Sequence, residues 1–421
     1  MCFPFFKCLP LSGEVSLSGD LFIMIHLLAV LILILESSMA QEKTAIVFGG
    51  NGFMGSETVL SLLTQFDKVI VVNRGNWYYD SNLRIMQRKE VIHIKCDRFK
   101  HKNENNLLKC EKFIKLLGSI TNIDLVVDFS AYKPKAISDA LEVLKGKVHL
   151  YIYISSDSVY EVCEGYNTAS GLSKETDSVR PKDMEKRRML ARRDSYGDDK
   201  LSGEEVLEAS NVPYLILRLP DVIGPRDTTH RWWTYQLWMQ LFTEFPLAIP
   251  IPRSNQILKT SYVYSKDVAS TILNVTDLSR TKSEILNQSY NIGFEEGFTL
   301  KELLYELESE MGQNIDYDLN ADENAFTLFP SVSRGMVDIT KAKDMIGFVP
   351  TKWKQALREV VQFYSGAALK YPSELKDVVD NLLDHVVPDS KRDEFSKLVN
   401  RIASNGVESQ SQESPAHHNE L

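Results

Sequence analysis

From Thr44 onward the chain alternates short apolar runs with stretches of helical spacing. Thr44 to Phe48 is the first run, and glycines follow it at once. Lys68 to Val72, Val91 to Lys95, Asp124 to Phe129 and His149 to Ile154 are further runs of strand type, and Pro213 to Leu219 is another. Between them, Ser56 to Gln65, Asn106 to Leu117 and Lys135 to Leu144 carry apolar residues at helical spacing. Strand and helix alternating in this way predict an α/β fold, a parallel sheet covered on both faces. From about Asp227 the rhythm breaks. Thr299 to Met311 and Ile339 to Ile346 predict helices of a smaller second part. Glu374 to Val387 and Lys391 to Ile402 are amphipathic and predict a helical appendage. There is no internal repeat. The expected divisions are residues 41–245, 246–370 and 371–403, with 1–40 ahead of them and 404–421 behind.

Composition agrees with a globular body. The chain has 421 residues, 43% hydrophobic and 25% charged, which suits a soluble fold with a sizeable core. Its net charge of −9 argues against a general nucleic-acid surface.

The two ends differ from the body. Leu21 to Leu35 is apolar except for His26. It is too short to span a bilayer comfortably, since ~20 residues are needed. It fits the apolar region of a secretory signal, with Ser38-Met39-Ala40 as the cleavage site. Lys7 is the only cation in the lead, and a start at Met24 gives a neater signal. The alternative is a leader ahead of a true start at Met39, which gives a cytoplasmic protein. The chain finishes His418-Asn419-Glu420-Leu421, similar to the Lys-Asp-Glu-Leu and His-Asp-Glu-Leu retrieval signals, with Asn419 where Asp is usual. The segment Asn405 to His417, rich in Ser, Gln and Glu, is expected to be disordered. Both ends together point to the lumen of the endoplasmic reticulum, with no stable membrane span after cleavage. The sequons at Asn274 and Asn287 add little. After cleavage Cys96, Cys110 and Cys163 remain, with neither a disulfide framework nor metal-site spacing. One pair could bridge; buried free thiols are the expected state. No metal site is expected.

The most informative motif is Gly49-Gly50-Asn51-Gly52-Phe53-Met54-Gly55, after the first strand and opening a helix. Gly49 permits the turn, Gly52 lets the backbone approach a pyrophosphate, and Gly55 allows close helix–strand packing. Phe53 and Met54 begin the helix, whose N-terminus favours an anion. A glycine-rich turn without a ligand is the plain alternative. The second strand ends Val72-Asn73-Arg74-Gly75. A carboxylate here would bind the ribose hydroxyls of NAD, and none is present. Arg74 can instead pair with a 2′-phosphate, so NADP is favoured over NAD; a solvated loop arginine is the alternative. Asp97 follows the third strand, where a carboxylate can meet the adenine amine. Ser130, Ala131 and Tyr132 follow the fourth, where the chain passes a dinucleotide's ribose and phosphates.

The fifth strand runs into Ser155-Ser156-Asp157-Ser158, and Tyr196-Gly197-Asp198-Asp199-Lys200 comes later. Tyr and Lys four apart on a helix share a face. A phenol near pKa ~10 is a poor base at neutral pH. A neighbouring ammonium should lower it, so that Tyr196 exchanges a proton with a substrate hydroxyl or carbonyl. Lys200 can also hold the nicotinamide ribose, and Ser156 can orient the same substrate oxygen.

With these motifs the chain resembles the extended short-chain dehydrogenase/reductases, the NAD-dependent epimerase/dehydratase group. Leu217-Arg218-Leu219-Pro220-Asp221, Tyr262-Val263-Tyr264-Ser265-Lys266-Asp267 and Tyr290-Asn291-Ile292-Gly293 add to the likeness, which covers about Thr44 to Tyr364. It implies a Rossmann-type doubly wound sheet with a smaller C-terminal substrate-binding part, and Ser156, Tyr196 and Lys200 as catalytic residues. It also implies hydride transfer on an alcohol or ketone, plausibly of a sugar nucleotide, and a homodimer. Two departures matter. Sugar-nucleotide 4,6-dehydratases place an acid pair after the active-site Ser/Thr; Asp157 fits the first, but Ser158 replaces the glutamate. Asp221 stands where the family often has Asn. The ending Asn73-Arg74-Gly75 resembles a branch that includes chloroplast stem-loop-binding proteins, some of which bind RNA without redox chemistry. A non-catalytic Rossmann-fold binding protein is therefore the competing reading.

Asp157 and Arg226 are the substrate-binding candidates, Arg226 to meet a phosphate. His230, Trp232 and Trp233 could join them or simply pack the core. Arg334 could contact a nucleotide diphosphate. Lys186, Arg187, Arg188, Arg192 and Arg193 form a basic run, read as a solvated face or, more sharply, as an anion-attracting rim.

Overall fold

The computed structural model describes residues 42–101, 104–165 and 171–410, with side chains to residue 403. The signal or leader and the C-terminal retrieval-like motif lie outside the described residues.

The apolar runs form strands β1 (Thr44–Phe48), β2 (Lys68–Asn73), β3 (Val91–Lys95), β4 (Leu125–Asp128), β5 (Tyr151–Ser156) and β6 (Tyr214–Leu219). Helices α1 (Phe53–Leu62), α2 (Ser81–Met86), α3 (Glu111–Gly118), α4 (Pro134–Val143), α5 (Met184–Arg193) and α6 (Ser195–Glu208) lie between them. Next come β7 (Asp221–Ile223), α7 (Arg231–Leu241), β8 (Thr260–Tyr264), α8 (Ser265–Leu278) and β9 (Gln288–Asn291). The principal later helices are α9 (Leu300–Met311), α10 (Thr340–Ile346), α11 (Trp353–Ser365), α12 (Pro372–His385) and α13 (Arg392–Gln410).

The main sheet has seven strands in the order β9-β6-β5-β4-β1-β2-β3. Every neighbouring pair is parallel. Strand order reverses beside β1, so the C-terminal ends of β1 and β4 flank a crevice, the usual dinucleotide position in a Rossmann-type sheet. The strands are near-continuously apolar because helices cover both faces: Ile46, Val47, Ile70, Val71, Val126 and Val127 are all fully buried.

The seventh strand comes from beyond residue 245, and it pairs with β6. Conversely, α7 packs with the C-terminal part. Trp232, Trp233 and Trp238 join Leu303, Leu357, Val378 and Phe395 in one apolar cluster. The two parts interleave, and the appendage of α12 and α13 shares that second core. The final helix runs to Gln410, past Ile402 and into the segment expected to be tail.

The cysteine expectation needs correction. Cys96 and Cys110 form a disulfide, while Cys163 is free and buried. Cys96 follows β3 and Cys110 precedes α3, which brings their Cα atoms to 5.9 Å, within bridging range.

Candidate active site

A cavity of about 1030 Å³ opens at the C-terminal ends of the strands. Gly49, Gly52, Phe53, Met54 and Gly55 line one end of it. A side chain at Gly55 would strike the Gly49 carbonyl, at 2.2 Å, so only glycine lets α1 start so close to the turn. A side chain at Gly52 would meet only one atom, at 3.6 Å, and would occupy the open space itself. No side chain caps α1, so its first amides are left for a ligand.

Asn73, Arg74, Ser130 and Tyr132 also line the cavity. The Asn73 side-chain carbonyl accepts from the Gly75 amide (2.6 Å) and faces His93 Nε2 (3.2 Å). Its Nδ2 is buried without a partner, so Asn73 has donors to offer and no acceptor to spare. Arg74 is exposed. Burial raises the pKa of the Tyr132 hydroxyl, and the neighbouring Arg74 guanidinium opposes that rise. Two candidates do not reach the wall. Asp97 is exposed and accepts from the Phe99 amide at 3.0 Å. Ala131 is buried behind it, its carbonyl receiving Lys200 Nζ and the Tyr153 hydroxyl, both at 3.1 Å.

In their place stands Arg98, which the sequence reading missed. Its buried guanidinium donates to both Asp128 oxygens (2.9 and 2.8 Å) and to Ser130 Oγ (3.2 Å). It also lies 4.5 Å over the Phe48 ring. The pair fixes the turn after β4, where Ser130 meets the cavity.

Ser156, Tyr196 and Lys200 converge on the cavity between its two ends. Ser156 ends β5, and its Oγ accepts from the Ser158 amide at 3.2 Å. Asp194 caps α6 by accepting from the Gly197 amide at 2.8 Å. Gly197 explains the close approach: a side chain there would lie 2.2 Å from the Ser158 carbonyl. The helix therefore rests on the turn after β5 and brings Tyr196 to Ser156. The residue inside the Tyr-Gly-Asp-Asp-Lys motif matters as much as its ends.

The chain's sequence matches the model of the NAD dependent epimerase/dehydratase family over residues 45–293. It belongs to that family. It is 22% identical to dTDP-D-glucose 4,6-dehydratase of Homo sapiens over 361 residues, 76% of this chain and 90% of the relative. Among solved structures it is similar to UDP-glucuronic acid 4-epimerase from Bacillus cereus in complex with NAD. The TM-score is 0.58 at 19% identity, covering 79% of this chain and 99% of that one. It is also similar to dTDP-glucose 4,6-dehydratase from Bacillus anthracis in complex with NAD, with TM-score 0.58 at 18% identity and the same coverage. At such identities the solved structures show the fold. With its family, the chain is an enzyme of the extended short-chain dehydrogenase/reductase type.

For a member of this family the state of the Tyr–Lys pair is telling. Lys200 is fully enclosed and donates to the carbonyls of Ile154 (2.8 Å) and Ala131 (3.1 Å). Burial lowers its pKa to about 8, with Asp128 and Glu204 opposing. The Tyr196 hydroxyl is raised, not lowered. Burial raises it most, Tyr132 and Asp157 add to this, and a hydrogen bond with Ser156 opposes. The residue as a whole is 45% exposed along the cavity wall, so the desolvation is that of its hydroxyl end. The expected phenolate is not favoured here, because desolvation of the hydroxyl outweighs the groups that oppose it.

Asp157 shares the cavity, buried, with Oδ2 unpartnered. Burial raises its pKa well above the carboxylate range, the nearby Asp221 adds to this, and Ser156 opposes. The other end of the cavity is bordered by the segment Pro330–Ser333, tied down by two carboxylates. Asp221 accepts from the Ser331 amide and hydroxyl (2.9 and 2.7 Å) and pairs with Arg231. Glu161 accepts from the Ser333 amide and hydroxyl (2.8 and 2.6 Å) and pairs with Arg193 at 3.0 Å.

Several expectations at this end change. Arg226 is not on the cavity wall; it pairs with Asp80 and lies over the Phe363 ring. Arg231, the first residue of α7, takes the wall position instead. Trp232 and Trp233 are core. The Arg334 guanidinium donates to the carbonyls of Cys163 (2.9 Å) and Glu164 (3.0 Å), behind the wall. Of the basic run on α5, Arg193 lines the cavity, whereas Lys186 pairs with Glu164.

Proposed function

We propose that this chain is an NADP(H)-dependent oxidoreductase or epimerase acting on the hydroxyl or ketone of a sugar nucleotide. One observation carries the reading: Ser156, Tyr196 and Lys200 share a cavity with an uncapped, glycine-opened helix N-terminus and an exposed cation at Arg74. Among the described residues no carboxylate pairs with Arg74, and Asn73 offers only donors beside it. That donor-only corner suits a 2′-phosphate better than bare ribose hydroxyls. The glycine turn would hold the pyrophosphate, and Ser130 and Tyr132 the ribose side. NADP bound there supplies the acceptor or donor of a hydride.

The chain's own part is proton handling. Tyr196, protonated, donates its proton to a substrate carbonyl oxygen and is left as tyrosinate; in the opposite direction the tyrosinate takes the proton of a substrate hydroxyl, with Ser156 holding the same oxygen. Asp157, its pKa raised by burial and its Oδ2 without a partner among the described residues, offers a further polar group to the pocket. Elimination of water has no counterpart of the dehydratase glutamate, because Ser158 stands in its place. The names of the relatives support a sugar nucleotide. The reading includes a homodimer formed through two helices of the nucleotide-binding part.

It also places the protein in the lumen of the endoplasmic reticulum. The Cys96–Cys110 disulfide suits an oxidising compartment, in keeping with both chain ends. No helix among the described residues is long and apolar enough to cross a membrane.

The test is a fluorescence titration with NADPH and NADH, run also on Arg74→Ala. Tighter binding of NADPH, weakened about tenfold or more in the variant, is the expected result. No binding of either nucleotide refutes the proposal. With a substrate in hand, Tyr196→Phe should lower turnover by about 10²–10⁴-fold. Retained cofactor without net redox marks an epimerase, and released oxidised cofactor marks a reductase.

A further inference from the structure

The loop between β2 and α2 carries Arg74, Asn76 and Tyr78 on the cavity wall. Its other side is held by a part of the chain far away in sequence. Tyr79 adopts a left-handed backbone, φ 52°, which is uncommon for an aromatic residue and needs outside support. That support comes from the C-terminal segment. The Tyr79 amide donates to the Glu374 carboxylate at 2.5 Å, and Glu374 is buried in the first turn of α12. The Tyr79 ring packs edge-on against Tyr371 at 5.0 Å and near Phe363 at 5.9 Å. Its hydroxyl donates to the Asp227 carbonyl at 2.9 Å. Next in sequence, Asp80 is gripped by Arg226 through two bonds, the longer at 3.0 Å. At the cavity end of the loop, Asn51 of the glycine turn donates to the Asn76 carbonyl.

The chain of contacts runs from the glycine turn through Asn76 and Tyr79 to Glu374. Its last link lies beyond residues 45–293, the span that the family shares. We propose that α12 is a clamp for coenzyme binding, with Glu374 the positioning residue that holds the loop presenting Arg74 to the adenosine phosphate. The proposal rests on the NADP reading above. A loop held in place before the ligand arrives spares the ligand the cost of ordering it. The appendage then has a purpose in the site without touching it.

Two measurements on Glu374→Ala test this in the full chain. The first is hydrogen–deuterium exchange of residues 75–80 without nucleotide. It should rise in the variant while exchange in the central sheet stays as in the wild type. The second is nucleotide affinity. Releasing about one backbone residue should weaken NADPH by roughly tenfold. NADH, which makes no use of Arg74, should weaken less. Glu374→Gln keeps an oxygen that accepts from the Tyr79 amide and should restore both readouts. Unchanged exchange in the loop overturns the clamp. Raised exchange with wild-type affinity overturns its role in binding, and so does an equal loss for both nucleotides accompanied by a lower melting temperature. Wild-type protein that binds neither nucleotide refutes the NADP reading as well, whereas binding by wild type and variant alike refutes this inference alone.

Discussion

Lys200 makes a prediction about stability that needs no substrate. Burial lowers its folded pKa from 10.5 to about 8. The unfolded chain therefore binds a proton that the folded chain lacks between those two values. Stability rises with pH across that window and carries the whole penalty below about pH 8. At about 1.4 kcal/mol per pH unit the full penalty is about 3 kcal/mol. About 2 kcal/mol of it should be recovered between pH 7 and pH 9.5. Above that range the buried tyrosines complicate matters. Tyr151 and Tyr153 are raised by burial, so their unfolded forms ionise first and stability falls. The assay is urea unfolding of wild type and Lys200→Met at several pH values from 7 to 9.5. The variant cannot titrate at this position, so the difference between the two curves isolates the lysine. Wild-type stability should gain about 2 kcal/mol relative to the variant over that range. A difference that stays constant to within about 0.5 kcal/mol would refute the burial argument and with it the description of Lys200 as an enclosed amine with a lowered pKa.

Two further perturbations probe the supports of the site. Glu204 sits one turn beyond Lys200 and binds buried Arg218 through both oxygens (3.0 and 2.6 Å) and the Ser155 hydroxyl at 2.6 Å. Glu204→Gln leaves the Arg218 charge uncompensated and should cost about 3–5 kcal/mol, a fall in Tm of roughly 4–6 °C by calorimetry, and a loss under about 1 kcal/mol would count against it. Cys110→Ser opens a loop closed by residues 14 apart and should cost about 3 kcal/mol in urea unfolding, with the Cys96–Cys110 peptide pair found by non-reducing mass mapping of the wild type.

What the sequence made legible was local. A strand, a glycine turn and a helix follow one another between Thr44 and Leu62, so apolar runs and glycines suffice to locate the phosphate end. Tyr196 and Lys200 lie four apart on one helix, and helical geometry alone puts them on a common face. The networks that hold these groups join distant segments and leave no local trace. Arg98 and Asp128 are 30 residues apart, Asp221 and Ser331 are 110, and Glu161 and Ser333 are 172. Only the order of the strands brings such residues together, and that order is a property of the whole chain. The interleaving of α7 and β9 escaped for the same reason. A boundary near residue 245 follows from the loss of rhythm, while the sheet recruits its seventh strand from beyond it.

Arg226 and Arg231 show how the site's charge came to be misplaced. Arg226 follows the Gly224-Pro225 turn directly and looked like the residue to meet a phosphate. Both it and His230 adopt left-handed backbone, with φ 69° and 58°. The chain thus turns twice within a few residues, and the direction of each side chain cannot be read from its place in the sequence. What settles the matter is the distribution of carboxylates. Asp80 and Glu57 lie on the α1–α2 side and draw Arg226 to them, 3.6 Å from Glu57 at the longer contact. Asp221 lies on the cavity side and draws Arg231. A buried guanidinium must be paired, so each arginine goes where its counter-charge is fixed. The arginine held against the α1–α2 side and the arginine on the cavity wall are therefore distinguished by Asp80 and Asp221. Neither of those carboxylates is recognisable as a partner until the fold is known.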